Sequence, residues 1–230
     1  QRPEPMIPGW GIHNFFDDLP CEIRAEFDRA SRYRTVESGT AIVRIGDMHR
    51  HVHRLREGRV KYCAYDSHGR ETITAIMSSG DWIGLTEPFT GKAAMANVVA
   101  ISKVKLQSID YQDFEAILDR HPVILRHLLR VFVSRFDFVY RIAQDRNELT
   151  LKERLLKLLH SLSRDGSEIA ISQDDLAKML AASRQALNRL LKELEEEGVL
   201  VRGYRSIRIS RLGKGDHKYD HLFEDGEFQL

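Results

Sequence analysis

Residues Ile171–Gly198, ISQDDLAKMLAASRQALNRLLKELEEEG, decide how the whole chain reads. The stretch divides into two short helices about a tight turn. Ser172 stands where an N-cap belongs, with Asp175 three positions on as a capping box. Leu176, Ala177 and Leu180 make the first helix's inner face, and Ala181 and Ala182 a small-residue turn. Ser183 caps a second helix whose apolar stripe is Leu187, Leu190, Leu191 and Leu194. Counting from Gln173 as one, Ala177 falls at five, Ala181 at nine, Leu187 at fifteen and Leu190 at eighteen. Steeply crossing helices need small residues where their backbones approach and branched apolar ones where they pack. That spacing predicts a helix-turn-helix whose second helix exposes Arg184, Gln185, Asn188 and Arg189 at the end that enters a major groove.

Working outward, Gly198 closes the second helix. Val199–Ile209 alternates around Gly203 as a β-hairpin wing, with Arg202, Arg205 and Arg208 expected on its exposed side. Residues 214–230 are polar and read as a loosely attached tail. Upstream, Leu151–Leu162 is an amphipathic helix, Arg164–Glu168 a loop and Ile169–Ile171 a short strand. Pro122 opens a long helix striped by Leu125, Leu128, Phe132, Phe136, Val139, Ala143, Arg146 and Leu149. A narrow apolar seam on so long a helix predicts two-fold dimerisation along it.

Between Tyr33 and Ile109 the texture is β-rich. Strand-length pieces at Thr40–Val43, Val60–Tyr65, Thr72–Met77, Val98–Ile101 and Val104–Ile109 alternate with glycine turns, and Glu57-Gly58 and His68-Gly69 read as hairpin signals. Many short antiparallel strands so punctuated predict a jelly-roll-like β-roll. A short helix from Cys21, with Ile23 and Phe27 inward, precedes it, and Tyr111, Phe114, Ile117 and Leu118 mark another after it. The fold class is therefore α+β: a β-roll sensor domain with its N-terminal segment over 1–121, a dimerisation helix over 122–148, a winged helix-turn-helix over 149–213 and the tail over 214–230.

With 42% hydrophobic and 30% charged residues the composition is that of a globular protein. No apolar run nears the ~20 residues needed to span a bilayer, so no membrane partner is expected. The opening QRPEPMIPGW has neither an apolar signal core nor an initiating Met, and the numbering is expected to begin inside a longer product. Two cysteines, Cys21 and Cys63, are too few for a disulfide framework or a four-cysteine metal site, which predicts a reducing cytoplasm. A net charge of +1 means that any nucleic-acid binding comes from a local patch.

A β-roll, a long helix and a winged helix-turn-helix, in that order, resemble the bacterial Crp/Fnr transcription regulators over about residues 13–212. Leu55-Arg-Glu-Gly-Arg-Val-Lys61, Gly80-Asp-Trp-Ile-Gly84, Ile171-Ser-Gln-Asp-Asp-Leu-Ala177 and Ser183-Arg-Gln-Ala-Leu-Asn-Arg189 carry the resemblance. It implies a homodimeric transcription regulator, activator or repressor and not an enzyme, that reads a pseudo-palindromic operator on double-stranded DNA, with RNA polymerase as a partner because the Arg164–Glu168 loop lies where related activators touch it. The family's base-reading positions fall on Arg184, Gln185 and Arg189, with Asn188 beside them. Each Arg can offer two parallel donors to guanine, while Gln185, standing where the best-known member has Glu, suits adenine. Ser172, Gln173, Ser183, Arg205 and Arg208 are expected on phosphates.

In cyclic-nucleotide-binding relatives a Gly-Glu pair and a later Arg hold ribose and phosphate. Here Leu85 replaces that Glu, no Arg follows in Thr86–Ala94, and Val139 and Tyr140 stand at the adenine-contacting positions. A buried anion without a paired cation is costly, so cyclic AMP is not expected. Iron–sulfur sensing lacks cysteines, and the haem-ligand positions fall on Gly84 and Thr86. No cofactor is expected. What is expected is an unidentified small, rather apolar effector, lined by Trp82, Ile83, Gly84, Leu85, Thr86, Phe89, Lys92, Phe132, Phe136, Val139 and Tyr140. A rival reading takes His49-Arg-His51-Val-His53-Arg-Leu-Arg-Glu57 as the first metal motif of a cupin-like sensor or oxygenase, with His51 and His53 on one strand face. An exposed basic strand is the simpler expectation.

Overall fold

The computed structural model describes residues 16–162, 168–169, 171–204, 206–210 and 222, apart from the side chains of Ser134, Phe138, Arg141, Ile142 and Ser161. The sequence expectations for Arg164–Ser167, Arg205 and the tail beyond 213, Leu222 excepted, lie outside these residues. Two compact units divide at Tyr140/Arg141.

In the first unit, α1 (Cys21–Ala30) leads into eight strands: β1 (Arg32–Val36), β2 (Ala41–Val43), β3 (His51–Glu57), β4 (Val60–Tyr65), β5 (Glu71–Met77), β6 (Trp82–Ile83), β7 (Asn97–Ala100) and β8 (Val104–Asp110). A short helix, α2 (Glu87–Thr90), follows β6; α3 (Tyr111–Arg120) and α4 (Val123–Glu148) follow β8. The strands form two antiparallel four-stranded sheets in the orders β1-β8-β3-β6 and β2-β7-β4-β5. Val36, Leu55, Ile83, Val104 and Leu106 of the first sheet and Val43, Val60, Met77, Val98 and Ala100 of the second share one core. Alternation does the rest, because successive side chains point to opposite faces. Val52, Trp82 and Ile109 face outward from the first sheet into a second core with Phe16, Phe27, Phe114, Ile124 and Leu128.

The two expected hairpins part company here. His68-Gly69 does join the paired strands β4 and β5. Glu57-Gly58 does not: β3 pairs with β8 and β6, whereas β4 pairs with β5 and β7, so the chain crosses between sheets at that glycine. β3 is also not an exposed basic strand. Val52 to Leu55 are buried because β3 lies inside its sheet, between β8 and β6.

Two apolar seams run along α4. Ile124, Leu128 and Val131 are buried in the roll's helical layer. Leu125, Leu129, Val133, Phe136, Val139 and Tyr140 are exposed. At 100° per residue the seams lie roughly a quarter-turn or more apart. Leu128, expected on the dimer face, therefore belongs to the roll's own core, and Phe132 is half-buried between the seams. Leu125, Phe136, Val139 and Ala143 remain exposed.

The second unit contains α5 (Leu151–Leu162), α6 (Gln173–Met179), α7 (Arg184–Glu196), β9 (Leu200–Gly203) and β10 (Ser206–Ile209). Ile169 bridges to Ile207, extending the wing by one pairing. No helix among the described residues is long and apolar enough to cross a membrane.

Candidate nucleic-acid interface

The caps that start α6 and α7 fall on the residues the sequence predicts. Ser172 Oγ accepts from the Asp175 amide at 3.0 Å and donates to the Asp175 carboxylate at 2.6 Å, so the carboxylate closes on the cap hydroxyl and not on the Ser172 N–H as the expected capping box would. Ser183 Oγ accepts from the Ala186 amide at 3.1 Å. The Ser172 proton is thus committed to Asp175, so a phosphate there meets the remaining first-turn N–H groups, whereas Ser183 accepts from its helix and keeps its O–H proton to donate. Between the helices Ala181 takes a left-handed conformation at φ 50°, and the Ala182 amide returns to the Ala177 carbonyl at 3.0 Å. This is the turn glycine usually makes.

On α7, Leu187, Leu191 and Leu194 are fully buried, while Arg184, Gln185 and Arg189 are exposed and Asn188 and Gln173 half-buried. Among the described residues neither Arg184 nor Arg189 is held in an ion pair. Two guanidinium groups stay available at the helix start, where the peptide dipole adds partial positive charge.

The wing departs from expectation at Arg202. In the β9–β10 register Arg202 lies opposite Ile207, facing inward, and Arg208 opposite Val201, facing outward. The Arg202 amide donates to Glu195 Oε1 at 3.0 Å and its Nε to Oε2 at 2.7 Å. These hydrogen bonds hold the Glu195 carboxyl below its usual range. Arg202 is therefore not an outward-facing cation. Arg208 is exposed, as is Tyr204, 94% so, at the wing's turn.

The proposed effector residues of the first unit separate by strand face. Trp82 is buried among the rings of Phe16, Phe27 and Phe114, and Leu85 joins the same core. Ile83 faces the roll interior. These three are packing residues rather than an open lining. Phe89 and Phe132 do meet, edge to face with centroids 6.5 Å apart, and Phe136 stacks on Tyr140 at 6.3 Å. Thr86 and Lys92 are exposed.

Sequence reasoning missed Arg135. It is 8% exposed, with Nη2 donating to the Trp82 carbonyl at 3.3 Å. Burial lowers its pKa, opposed by the charges of Tyr62 and Asp81; burial in turn pushes Asp81 up to about 6. The signal was present: Arg135 continues the Ile124–Leu128–Val131 seam at helical spacing, a cation on an apolar stripe.

Gly84 marks where the β6–α2 turn rests on the roll. At φ 78° a Cβ there would lie 2.7 Å from the His51 carbonyl, 3.5 Å from the Tyr111 hydroxyl and 3.6 Å from the His49 ring. The histidines form a packed group rather than a cupin site. His49 Nε2 lies 2.7 Å from His53 Nε2, and His53 Nδ1 lies 2.7 Å from Ser108 Oγ. Glu57 pairs instead with Lys105 at the far end of β3. No cluster among the described residues is arranged to hold a metal ion. Cys63 is buried, and burial raises its thiol to about 11.

Comparison with known proteins agrees with this architecture. Residues 33–121 match the cyclic nucleotide-binding domain family and residues 153–214 the Crp-like helix-turn-helix domain family. The chain is 26% identical over 181 residues to the cAMP-activated global transcriptional regulator CRP of Pasteurella multocida, covering 75% of this chain and 87% of that one. It is 23% identical over 205 residues to a probable transcriptional regulator, flp, of Lacticaseibacillus casei, covering 84% and 90%. In fold it resembles the c-di-GMP-responsive regulator CLP of Xanthomonas campestris, with a TM-score of 0.76, 21% identity and coverage of 84% of this chain and all of that one. It also resembles FixK2 of Bradyrhizobium japonicum, with a TM-score of 0.70, 19% identity and coverage of 84% and 96%. These relatives are transcription regulators rather than enzymes, and with a nucleotide-binding-type roll followed by a Crp-type reading head the chain belongs to the Crp/Fnr family of transcription regulators.

Proposed function

We propose that this chain acts as a cytoplasmic homodimer that reads an inverted repeat, gated by a small effector other than cyclic AMP. The observation that carries the reading is the start of α7, where Arg184, Gln185 and Arg189 stand exposed behind a satisfied Ser183 cap. Arg184 and Arg189 read guanines, Gln185 an adenine and Asn188 an adjoining base edge, each good bidentate pair discriminating by about 1–3 kcal/mol. Arg208, Gln173 and the first-turn amides after Ser172 and Ser183 position the head on phosphates. Arg205 is assigned the same role from the wing's sequence alone.

Dimerisation rests on the outer seam of α4. Leu125, Leu129, Phe136 and Tyr140 recur at helical spacing and stay exposed in the single chain, a pattern a second helix covers. Two copies would set their reading heads one helical turn apart on one DNA face. The working division is a roll over 1–121, a dimer helix over 122–148 and a reading head over 149–213.

For the effector, Leu85 is buried where cyclic-nucleotide relatives carry the ribose-binding carboxylate, and Val139 and Tyr140 offer no paired hydroxyls. Arg135 supplies a buried guanidinium beside the β6–α2 turn, but one already facing Asp81 and the Trp82 carbonyl. An apolar molecule against Phe89, Phe132 and Tyr140 fits best. Contact with RNA polymerase, as an activator makes, belongs to the same proposal.

Selection of duplexes from a random-sequence pool, with sedimentation of the purified protein, tests this. The expected result is a dimer enriching a two-fold symmetric site. A monomer at micromolar concentration that enriches no sequence would refute it.

A further inference from the structure

The acidic end of α7, Lys192-Glu-Leu-Glu-Glu-Glu197, looks like a solvated face in the sequence, and like a poor neighbour for DNA. Each of its carboxylates instead has a cationic partner, two of them sharing one lysine. Glu195 takes the amide and guanidinium of Arg202 on the wing, the closest contact being 2.6 Å from Nη2. Glu193 and Glu197 both take Lys152 of α5, at 2.6 and 2.8 Å. Glu196 faces Lys192 at 3.6 Å.

The angular positions of these pairs matter. With Arg184 set at zero and 100° per residue, Glu195 lies at about 20° and Glu193 and Glu197 at about 180° and 220°. Gln185, Arg189 and Lys192 fall at about 100°, 140° and 80°, between the two sets. The buried leucines occupy the remaining arc. Gln185, Asn188 (about 40°) and Arg189 are thus bracketed by one ionic attachment to the wing and another to α5, while Arg184 lies about 20° beyond the Glu195 attachment. Apolar packing fixes a helix's distance from its neighbours well and its rotation about its own axis less well, because leucines tolerate small slides. Charge-assisted hydrogen bonds fix direction: at Glu195 the Arg202 amide takes Oε1 while Nε and Nη2 converge on Oε2, and the Lys152 ammonium is held by two carboxylates at once.

We propose that Glu195 with Arg202, and Lys152 with Glu193 and Glu197, are positioning residues that set the rotation of α7 and hold the wing beside it, and so determine base discrimination without touching DNA. The proposal rests on sequence-specific reading by α7.

Its test turns on a difference of sign. Glu195→Gln removes a negative charge from a DNA-binding unit, so simple electrostatics tightens binding to every duplex alike. Loss of positioning instead weakens binding to the selected site while binding to a scrambled duplex of equal composition holds or tightens. Affinities are measured by titration at one salt concentration, using the duplex enriched by the wild-type protein. The expected result for Glu195→Gln is a specific-to-scrambled ratio lower by roughly fivefold or more, part of what one bidentate base contact discriminates. Arg202→Lys, which keeps the charge and loses the converging Nε and Nη2 donors, lowers the ratio in the same direction. Lys152→Arg, which keeps a donor for both glutamates, stays near wild type, while Lys152→Ala lowers it. Thermal unfolding shows which variants are folded, and Arg202→Lys decides if Glu195→Gln is not. An unchanged or increased ratio in folded Glu195→Gln and Arg202→Lys overturns the proposal. A wild-type protein that enriches no sequence overturns the underlying reading, and this one with it.

Discussion

Replacing Gly84 by alanine probes the seat of the β6–α2 turn, with Gly39→Ala as its control. Both glycines have positive φ, 78° and 86°. Alanine pays roughly 1–2 kcal/mol for that conformation at either site. At Gly39 a Cβ meets nothing within 4 Å, so the conformational cost is the whole effect. At Gly84 the Cβ lies 2.7 Å from the His51 carbonyl oxygen, a backbone atom on a buried central strand that cannot swing away. Forcing several tenths of an ångström of separation displaces the turn that carries Leu85 and Thr86, or bends β3, at a further ~1–3 kcal/mol by analogy with overpacking. The expected total for Gly84→Ala is about 2–5 kcal/mol, against about 1–2 kcal/mol for Gly39→Ala. Thermal and urea unfolding of the two variants beside the parent measure the difference. Tryptophan fluorescence, read in a Trp10→Phe background so that Trp82 alone emits, reports whether the turn has moved, since Trp82 lies two residues away in the helical-layer core. If the variants lose equal stability, the turn does not rest on His51, and the account of this site fails.

Further expectations concern the reading head and the roll. Arg184→Ala should cost about 1–3 kcal/mol at one base pair per half-site and relax preference there; equal loss on all duplexes would assign it to phosphate. Arg208→Ala should weaken binding evenly across sequences and lower the salt slope by about one, so a change in base preference would contradict its place on the wing's outer face. His53, buried and hydrogen-bonded, has its pKa lowered from 6.5 to about 2 by burial first and by His49, Arg34 and His51 after it. Its neutral form gives stability that is fully present above about 6.5 and falls as pH drops, by up to about 1.4 kcal/mol per unit. Asp81, raised to about 6, acts in the opposite sense between pH 6 and 4. Urea midpoints at pH 7 and 5 should therefore show a smaller loss on acidification in His53→Gln than in the parent; equal losses would show that His53 is not held neutral.

Local periodicity carried the reading furthest where a residue's role depends on its near neighbours. The caps at Ser172 and Ser183, the span of α5 and the strand Val60–Tyr65 follow from turn chemistry, apolar spacing and β-branched or aromatic content. β1 escaped because RYRTV has one buried residue of five and gains its place only by pairing with β8. β6 is two residues long, too short for any period. α4 shows the limit differently. Its sequence gives two apolar seams with equal force, and nothing local says which meets the chain's own roll, so Leu128 reads as a dimer residue until the Phe114–Ile124 core claims it.

Charges were the hardest to read because a charge's role is set by a partner distant in sequence. Arg202 and Arg208 look alike in the wing, yet register turns one toward Glu195 and leaves the other facing out. Arg135 continues an apolar seam at helical spacing, but its burial beside Asp81 emerges only when the β6 turn packs against α4. The distinction bears on function. Family resemblance locates the cations that DNA should meet, but only the fold separates those that are free to meet it from those already matched. Of the arginines on α7 and the described wing, Arg184, Arg189 and Arg208 fall in the first group and Arg202 in the second. A charge count over the same residues would overstate the cations free to meet DNA by one, an error that the salt dependence of binding can measure.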